Sequence, residues 1–152
     1  MVKSGQVLRL YSGLDAAIID LGDHRLAFDP NDWVIGATIW RQGGWFRQET
    51  MRVFEAIPKG GVFVDVGANI GTQTLYALKF GGFDRAVCFE PEPKNLRSLR
   101  INLLINDLTD RVSIVEAAAG AKEGMAFRWS DKVAANQYPQ GRDLGSDDLL
   151  LA

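Results

Sequence analysis

The sequence predicts an α/β domain built on a parallel β-sheet and preceded by a β-rich hairpin segment. Between residues 62 and 115, three short apolar strands alternate with two segments of helical periodicity, which gives two consecutive βαβ units. Units of this kind cross over with a right hand and place their helices against a parallel sheet. A chain of 152 residues is long enough to bury one sizeable core, so we expect a single domain of this class.

Residues 1–45 are predicted as a β-rich N-terminal extension. Apolar and polar residues alternate before and after the turn Gly22-Asp23, which is typical of a β-hairpin. His24 lies directly beside this turn, and we expect its side chain at the surface. Three tryptophans follow between residues 33 and 45, and they are expected to pack the extension onto the sheet.

Residues 46–129 contain the elements of the predicted sheet. A helical pattern begins near residue 46 and ends before the turn Pro58–Gly61. The strand that follows, 62–66, is almost continuously apolar, as expected when helices cover both faces of a parallel sheet. The remaining elements are, in order, a helix over 72–80, a strand over 86–89, a helix that begins near 91–93, and strands over 112–115 and 125–129.

The last segment, residues 130–152, is predicted as a loop that leads toward a further element of the sheet. Its polar stretch ends on Leu149-Leu150-Leu151, which is typical of the approach to another buried element. We therefore expect the sheet to continue in a longer protein or to be covered by another subunit. An open sheet edge would also allow two copies of the chain to pair.

Composition excludes several classes of protein. Hydrophobic residues make up 47% and charged residues 24%, which is typical of a globular domain. The 17 basic and 19 acidic residues give a net charge of −2, from which we expect no nucleic-acid partner. One histidine and one cysteine, Cys88, exclude a multi-cysteine or histidine-rich metal site and indicate a reducing, cytoplasmic environment. No apolar run reaches the length of a membrane span, so no membrane partner is expected.

The chemistry-bearing motif is the segment Asp65–Gly71, followed one strand later by Glu90. Glycines at the C-terminal end of a strand let the backbone turn sharply and approach a ligand, and the next helix offers free N–H groups there. An acidic residue about 20 positions beyond such a loop commonly binds ribose hydroxyls, and Glu90 lies 19 residues after Gly71. These residues predict a pocket for a nucleoside-bearing cofactor at the carboxyl edge of the sheet.

The sequence of the loop narrows the choice of cofactor. A dinucleotide fingerprint requires glycine where Asn69 stands, and a phosphate-binding P-loop requires lysine after Gly71. An acidic residue in the strand, Asp65, before a loop of this kind suits a ligand without phosphates and with an amino-acid portion. This is the pattern of S-adenosylmethionine sites, while a nicotinamide-dependent oxidoreductase is the weaker alternative.

Four segments of the chain resemble the FkbM-type methyltransferases. The resemblance spans roughly residues 30–130 and implies a Rossmann-like class I methyltransferase sheet with S-adenosylmethionine as cofactor. It further implies methyl transfer to a hydroxyl group of a sugar or natural product, so that the partner is a small-molecule or glycan acceptor. The four segments are VFVDVGANIG at 62–71, VCFEPEP at 87–93, NLRSLRINLLIND at 95–107 and VSIVEAAAG at 112–120.

The resemblance also implies cofactor-binding roles for individual residues. The methionine portion is expected to face Asp65 and the backbone of the loop, with Asn69 capping that loop. The ribose hydroxyls are expected to bind to Glu90, and the adenine ring is expected to lie near Pro91 and the end of the third strand. The full set is Asp65, Gly67, Ala68, Asn69, Gly71, Glu90, Pro91, Glu116 and Ala117.

The resemblance leaves the acceptor side of the site unassigned. The family continues with a strand that carries a Lys-x-Asp-x-Glu-Gly signature, and the present sequence ends before that strand. No residue is identified as the catalytic base. The alternative hypothesis is therefore a non-catalytic nucleoside-binding or interaction module that pairs through its open sheet edge.

Overall fold

The computed structural model describes residues 16–120, 125–127 and 149–151 of the protein. A short 3₁₀ turn, Thr109–Arg111, precedes the third strand of the main sheet. In chain order the elements are β1 (Ala17–Asp20), β2 (Arg25–Phe28), α1 (Ile35–Gln42), α2 (Arg47–Glu55), β3 (Val62–Val66), α3 (Thr72–Lys79), β4 (Arg85–Phe89), α4 (Pro93–Leu104), β5 (Val112–Val115), β6 (Met125–Phe127) and β7 (Leu149–Leu151).

Strands β3, β4 and β5 form a parallel sheet in that order. Asp65 of β3 lies opposite Cys88 of β4, and Cys88 lies opposite Ile114 of β5. Neighbouring strands are consecutive in the chain, with α3 and α4 as the connecting helices, so both predicted βαβ units are confirmed. Because parallel strands run in one direction, the loops that follow them meet at a single edge of the sheet.

Helix α4 begins and packs as its sequence predicts. Glu92 is the N-cap and accepts a hydrogen bond from the backbone N–H of Lys94, and Pro93 occupies the first turn, where its missing N–H costs nothing. The buried apolar residues recur at helical spacing and fix the side of the helix that faces the core. They are Leu96, Leu99 and Leu103.

Within the described part of the chain, helices cover one face of the sheet. Alternate side chains of β3 point to opposite faces, and Asp65 on the helix side is buried. On the other face, Val62, Val64 and Val66 are exposed by 55%, 56% and 62%. The prediction that helices cover both faces is therefore wrong for the described residues. An apolar run is compatible with either arrangement, because the sequence of one strand does not specify what packs on each side.

The predicted N-terminal hairpin is confirmed and belongs to the same core as the sheet. Strands β1 and β2 are antiparallel, with Ile19 opposite Leu26, and both of these side chains are fully buried in the main core. Helix α1 lies within residues 1–45, the segment predicted to be β-rich, so that prediction is wrong for this part of the chain. The division of the chain at residues 45 and 129 stays a prediction.

Two asparagine side chains attach strand β2 to helix α4. Asn102 accepts from the backbone N–H of Ala27 at 2.6 Å and donates to the carbonyl oxygen of the same residue at 3.0 Å. Asn106, just beyond α4, repeats this pair with Arg25 at 2.9 and 2.7 Å. Four residues of a helix span about 6 Å and two residues of a strand span about 6.6 Å. The spacing between the two asparagines therefore matches the spacing between Arg25 and Ala27. The asparagines thus take the place of a neighbouring strand along the edge of β2.

His24 is buried, which corrects the expectation of a surface position. Its side chain is packed edge-on against the rings of Tyr76 and Phe80, at 5.7 and 5.5 Å between ring centroids, and its residue exposure is 3%. Nδ1 lies 2.5 Å from the carboxylate of Asp23, which also pairs with Arg47. Nε2 is buried without a hydrogen-bond partner in the described structure. The turn folds onto α3, and this docking is a tertiary event that the hairpin sequence does not encode.

Strands β6 and β7 form a second antiparallel pair. Ala126 lies opposite Leu150, so the triple leucine near the end of the sequence is a strand and the predicted strand over 125–129 is observed at 125–127. The predicted loop between them, up to residue 148, lies outside the described residues. Among the helices that the structure describes, none is both long and apolar enough to cross a membrane.

Candidate functional site

The loop between β3 and α3 turns through three residues in the left-handed region. Gly67, Asn69 and Gly71 have φ values of 78°, 52° and 83°. A side chain at Gly71 would meet α4, because an added Cβ would lie 2.3 Å from Cδ1 of Leu99, whereas nothing lies within 4 Å at Gly67. Backbone conformation therefore favours glycine at both ends of the loop, and the close approach of α4 also requires it at Gly71.

Asn69 is held at the tip of the loop by two hydrogen bonds. Its side-chain oxygen accepts from the backbone N–H of Ile70 at 2.8 Å, and its own backbone N–H donates to Oε2 of Glu90 at 2.7 Å. Asparagine tolerates the left-handed conformation better than most residues because its short side chain bonds locally. The loop is therefore connected directly to the acidic residue of the neighbouring strand.

Glu90 is the centre of the site. It follows β4 and is 4% exposed. Its Oε1 accepts from the backbone N–H of Glu92 at 2.9 Å and from Nδ2 of Asn95 at 3.3 Å, while Oε2 accepts from Asn69. The structure thus brings together the two parts of the predicted motif, the loop after β3 and the acid after β4, and adds the first turn of α4.

Asp65 lies below the loop and faces helix α3. Its carboxylate accepts from the hydroxyl of Thr74 at 2.5 Å, and this hydroxyl also lies 3.0 Å from the sulfur of Cys88. Burial raises the pKa of Asp65, hydrogen bonds from Thr74 oppose this rise, and the charge of Glu90 adds to it. Two buried carboxyl groups on adjacent strand ends therefore give the site acceptor capacity and negative charge.

The first turn of α3 leaves backbone donors near the loop. Gly71 is the N-cap residue, and it has no side chain to accept a hydrogen bond from the N–H groups of this turn. The start of a helix also carries a partial positive charge. This turn can therefore donate to acceptor atoms of a ligand at the loop, apart from the N–H of Thr74, which bonds to Asp65.

The other predicted residues lie at the same edge with looser connections. Pro91 and Ala117 are exposed. Glu116 follows β5, is largely exposed, and forms an ion pair with Arg100. None of these three forms a hydrogen bond or ion pair with the loop or with the carboxylate of Glu90 in the described structure, so their adenine-binding roles stay predictions.

Sequence reasoning missed three residues that shape the site. Thr74 binds Asp65, Asn95 binds Glu90, and Asn102 donates to the carbonyl oxygen of Ile70 at 2.8 Å. The periodicity of α4 contained a usable signal for Asn102. It follows Leu99 by three positions and precedes Leu103, so it falls on the apolar face, where a polar side chain requires a partner.

Comparison of the sequence with known proteins gives one significant curated relative. No family model matches the chain. The relative is the ribosomal protein L11 methyltransferase of Gloeobacter violaceus, which is 33% identical over 98 residues. The match covers 62% of this chain and 31% of the relative, so the chain spans about a third of the length of that protein.

Comparison of the structure gives solved proteins with the same fold at low sequence identity. TYW2 of P. horikoshii in complex with MeSAdo has a TM-score of 0.54 and 19% identity, and the match covers 76% of this chain and 41% of that one. TYW2 of M. jannaschii in complex with AdoMet has a TM-score of 0.50 and 23% identity, and the match covers 70% of this chain and 45% of that one. The complex of aTrm5 with tRNALeu has a TM-score of 0.51 and 16% identity, and the match covers 69% of this chain and 29% of that one.

The comparisons confirm the predicted fold class and agree with the predicted enzyme class and cofactor. The chain has the class I methyltransferase fold, here with three parallel strands, their helices and an N-terminal hairpin. The curated relative is a methyltransferase, and two of the solved neighbours hold AdoMet or MeSAdo. The similarity does not single out the FkbM family.

One expectation about partners is wrong. The net charge of −2 predicts no nucleic-acid partner, but a protein with this fold was solved in complex with tRNALeu. Net charge is a sum over all faces of a protein, whereas an acceptor meets only one of them. An acidic total therefore does not exclude a nucleic-acid partner for this fold.

Proposed function

We propose that this chain binds S-adenosylmethionine at the loop after β3 and that the protein transfers the methyl group to an acceptor. The observation that carries the proposal is the hydrogen bond from the backbone N–H of Asn69 to the buried carboxylate of Glu90. It joins the glycine-bounded loop and the acid that follows the next strand into one unit. This is the combination expected for an adenosine-bearing ligand.

The residues around the loop fit such a ligand. In our proposal the backbone from Gly67 to Gly71 and the first turn of α3 bind the methionine portion, together with Asp65. Glu90 accepts the ribose hydroxyls, and the adenine ring is bordered by Pro91 and by Glu116 with Ala117. Segments 62–71 and 87–93 contain no lysine or arginine, which fits a ligand without phosphate groups.

The reaction needs mainly alignment from the protein. S-adenosylmethionine supplies an electrophilic methyl group on a sulfonium centre, which an acceptor atom attacks in line with the departing sulfur. In our proposal the described residues position the cofactor for this in-line attack, because they bind its ribose and its amino-acid portion. Good positioning of two reactants lowers a barrier by about 7–11 kcal/mol. For a hydroxyl acceptor, a base that takes the proton adds to this.

For the acceptor we propose a hydroxyl group of a sugar or natural product. This choice is supported by the resemblance of segments 62–71 and 87–93 to the FkbM-type enzymes. A macromolecular acceptor is the second candidate, because the curated relative acts on ribosomal protein L11 and a solved neighbour binds tRNALeu. The non-catalytic module receives no support from the curated relative, which is itself a methyltransferase.

Calorimetric titration of S-adenosylhomocysteine tests the cofactor, with NAD as the control ligand. We expect the wild-type chain to bind S-adenosylhomocysteine but not NAD. Glu90→Ala should weaken binding about 100-fold or more, because two ribose hydroxyls lose a charged acceptor. Glu55→Ala, an exposed change on α2, is the matched control and should bind normally. Wild-type affinity in Glu90→Ala would contradict the assignment of Glu90.

Transfer of a labelled methyl group distinguishes the acceptors. The protein is incubated with S-adenosylmethionine that carries a labelled methyl group and with one acceptor at a time: a panel of hydroxylated sugars, unmodified tRNA, or ribosomal protein L11. We expect label in the sugar panel and none with Glu90→Ala. Label in tRNA or in the protein, and none in sugars, would replace the proposed acceptor with the second candidate.

A further inference from the structure

The carboxylate of Glu90 has almost no acceptor capacity left. A carboxylate offers about four acceptor positions on its two oxygens. Three are occupied by the donors of Asn69, Glu92 and Asn95, which leaves one position on Oε2. A ribose presents two adjacent hydroxyl groups. As it stands, Glu90 can accept one of them but not both.

The three donors differ in how easily they can release the carboxylate. Asn69 and Glu92 donate through backbone N–H groups, which are fixed by the loop and by the start of α4. Asn95 donates through a side chain on the first turn of α4, and its bond is the longest of the three at 3.3 Å. Its amide makes no other hydrogen bond in the part of the chain that the structure describes. The Asn95 contact is therefore the one that can be exchanged for a ligand.

We propose that Asn95 determines the preference of the site for a ribose with both hydroxyl groups. Before binding, its amide positions the carboxylate of Glu90. On binding, Nδ2 leaves Oε1, so that Glu90 accepts both hydroxyl protons, and the freed amide donates to a ribose hydroxyl oxygen. Both ribose hydroxyl groups then donate to Glu90, and one hydroxyl oxygen also accepts from Asn95, because a hydroxyl group can donate and accept at the same time. This inference rests on the proposed function, because it assumes that Glu90 faces the ribose.

The charges around Asn95 support a neutral sugar as the ligand group. Glu92 and Glu90 flank this position with negative charge, and the nearby cation Lys94 is paired with Asp29 at 2.5 Å. A phosphorylated ribose would require free cationic donors. An amide beside a carboxylate instead matches a pair of uncharged hydroxyl groups.

The test compares ligands that differ by one hydroxyl group. S-adenosylhomocysteine and its 2′-deoxy and 3′-deoxy analogues are titrated into the wild-type chain, Asn95→Ala and Asn95→Asp. Arg97→Ala, an exposed change on the same helix, is the control, and thermal melting verifies that each variant is folded. The quantity of interest is the ratio of the affinity for the full ribose to that for each deoxy analogue.

We expect both Asn95 variants to lose about three- to tenfold in affinity for S-adenosylhomocysteine and less for at least one deoxy analogue. The preference for the full ribose should therefore fall. A role limited to structure would weaken all three ligands by the same factor, and this result, or an unchanged preference, would overturn the inference alone. Failure of the wild-type chain to bind any of the ligands would overturn the proposed function as well.

Discussion

The side-chain amide of Asn102 holds the carbonyl oxygen of Ile70 at 2.8 Å, while Glu90 holds the same loop from the neighbouring strand. Asn102 is fully buried and also makes both hydrogen bonds with the backbone of Ala27. One side chain therefore connects the candidate cofactor loop, helix α4 and the N-terminal hairpin. The hairpin contributes to the site through this contact even though it supplies none of the predicted site residues.

The first prediction concerns this connection. Asn102→Ala leaves buried backbone groups of Ala27 and Ile70 without partners, so we expect a loss of about 2–4 kcal/mol in the free energy of unfolding. Urea denaturation followed by circular dichroism measures the change. Asn31→Ala, at an exposed turn, is the control and should cost less than about 0.5 kcal/mol. A loss of similar size in both variants would contradict the role of Asn102.

The second prediction separates backbone conformation from packing in the loop. Gly67→Ala should cost about 1 kcal/mol, because its positive φ is unfavourable for alanine but its surroundings are open. Gly71→Ala should cost at least about 2 kcal/mol more, since Cβ would also collide with Leu99. Denaturation of the two variants in parallel measures the difference. Equal losses would mean that α4 lies farther from the loop than described.

The third prediction is a pH dependence that originates at His24. Burial lowers the pKa of His24 from its ordinary value of 6.5, while the carboxylate of Asp23 opposes this shift and the charges of Arg47 and Lys79 add to it. The stability contributed by the neutral imidazole is therefore complete above pH 6.5 and is lost as the pH falls from 6.5 through the folded-state pKa.

The measurement for His24 is urea denaturation at pH values from about 7.5 to about 5.5. The wild-type protein should lose stability over this range, and His24→Leu should lose clearly less because it cannot be protonated. Lys79→Ala is a matched variant for the nearby positive charge and should keep most of the wild-type pH dependence. The same slope for wild type and His24→Leu would show that other groups cause the loss.

The fourth prediction concerns the valine face of the sheet. Val64 is 56% exposed, so Val64→Glu should change the free energy of unfolding by less than about 0.5 kcal/mol. Ala86→Asp, on the covered face, should cost more than about 3 kcal/mol because it buries an unpaired charge. Thermal melting of both variants makes the comparison. A large loss for Val64→Glu would show that this face is covered in solution.

Local patterns predicted the elements that form the candidate site. The helical spacing of leucines placed α4, and the segment Asp65–Gly71 placed the turn after β3, because glycine and asparagine are the residues that accept positive φ there. The acid at Glu90 was located because consecutive parallel strands end at one edge. These features depend on residues that are close in sequence or related by a regular fold.

Contacts between segments that are distant in the chain could not be predicted from the sequence. The burial of His24 depends on Tyr76 and Phe80, more than 50 residues away in the chain. The hydrogen bonds between Asn102 and Ala27 join residues 75 positions apart. The open valine face depends on what packs against β3, and its apolar sequence is the same in either case. Each of these features depends on how separate elements pack against one another, and the residue pattern within one element does not specify its packing partner.

The asparagine attachment of β2 has a consequence for the order of folding. Arg25 and Ala27 leave the ribosome long before their partners Asn102 and Asn106, so the hairpin is made while this edge still lacks its hydrogen-bonding groups. Unpaired edges of this kind promote aggregation in nascent chains. The N-terminal hairpin is therefore translated before the sheet but is secured only after Asn102 and Asn106 have been synthesised.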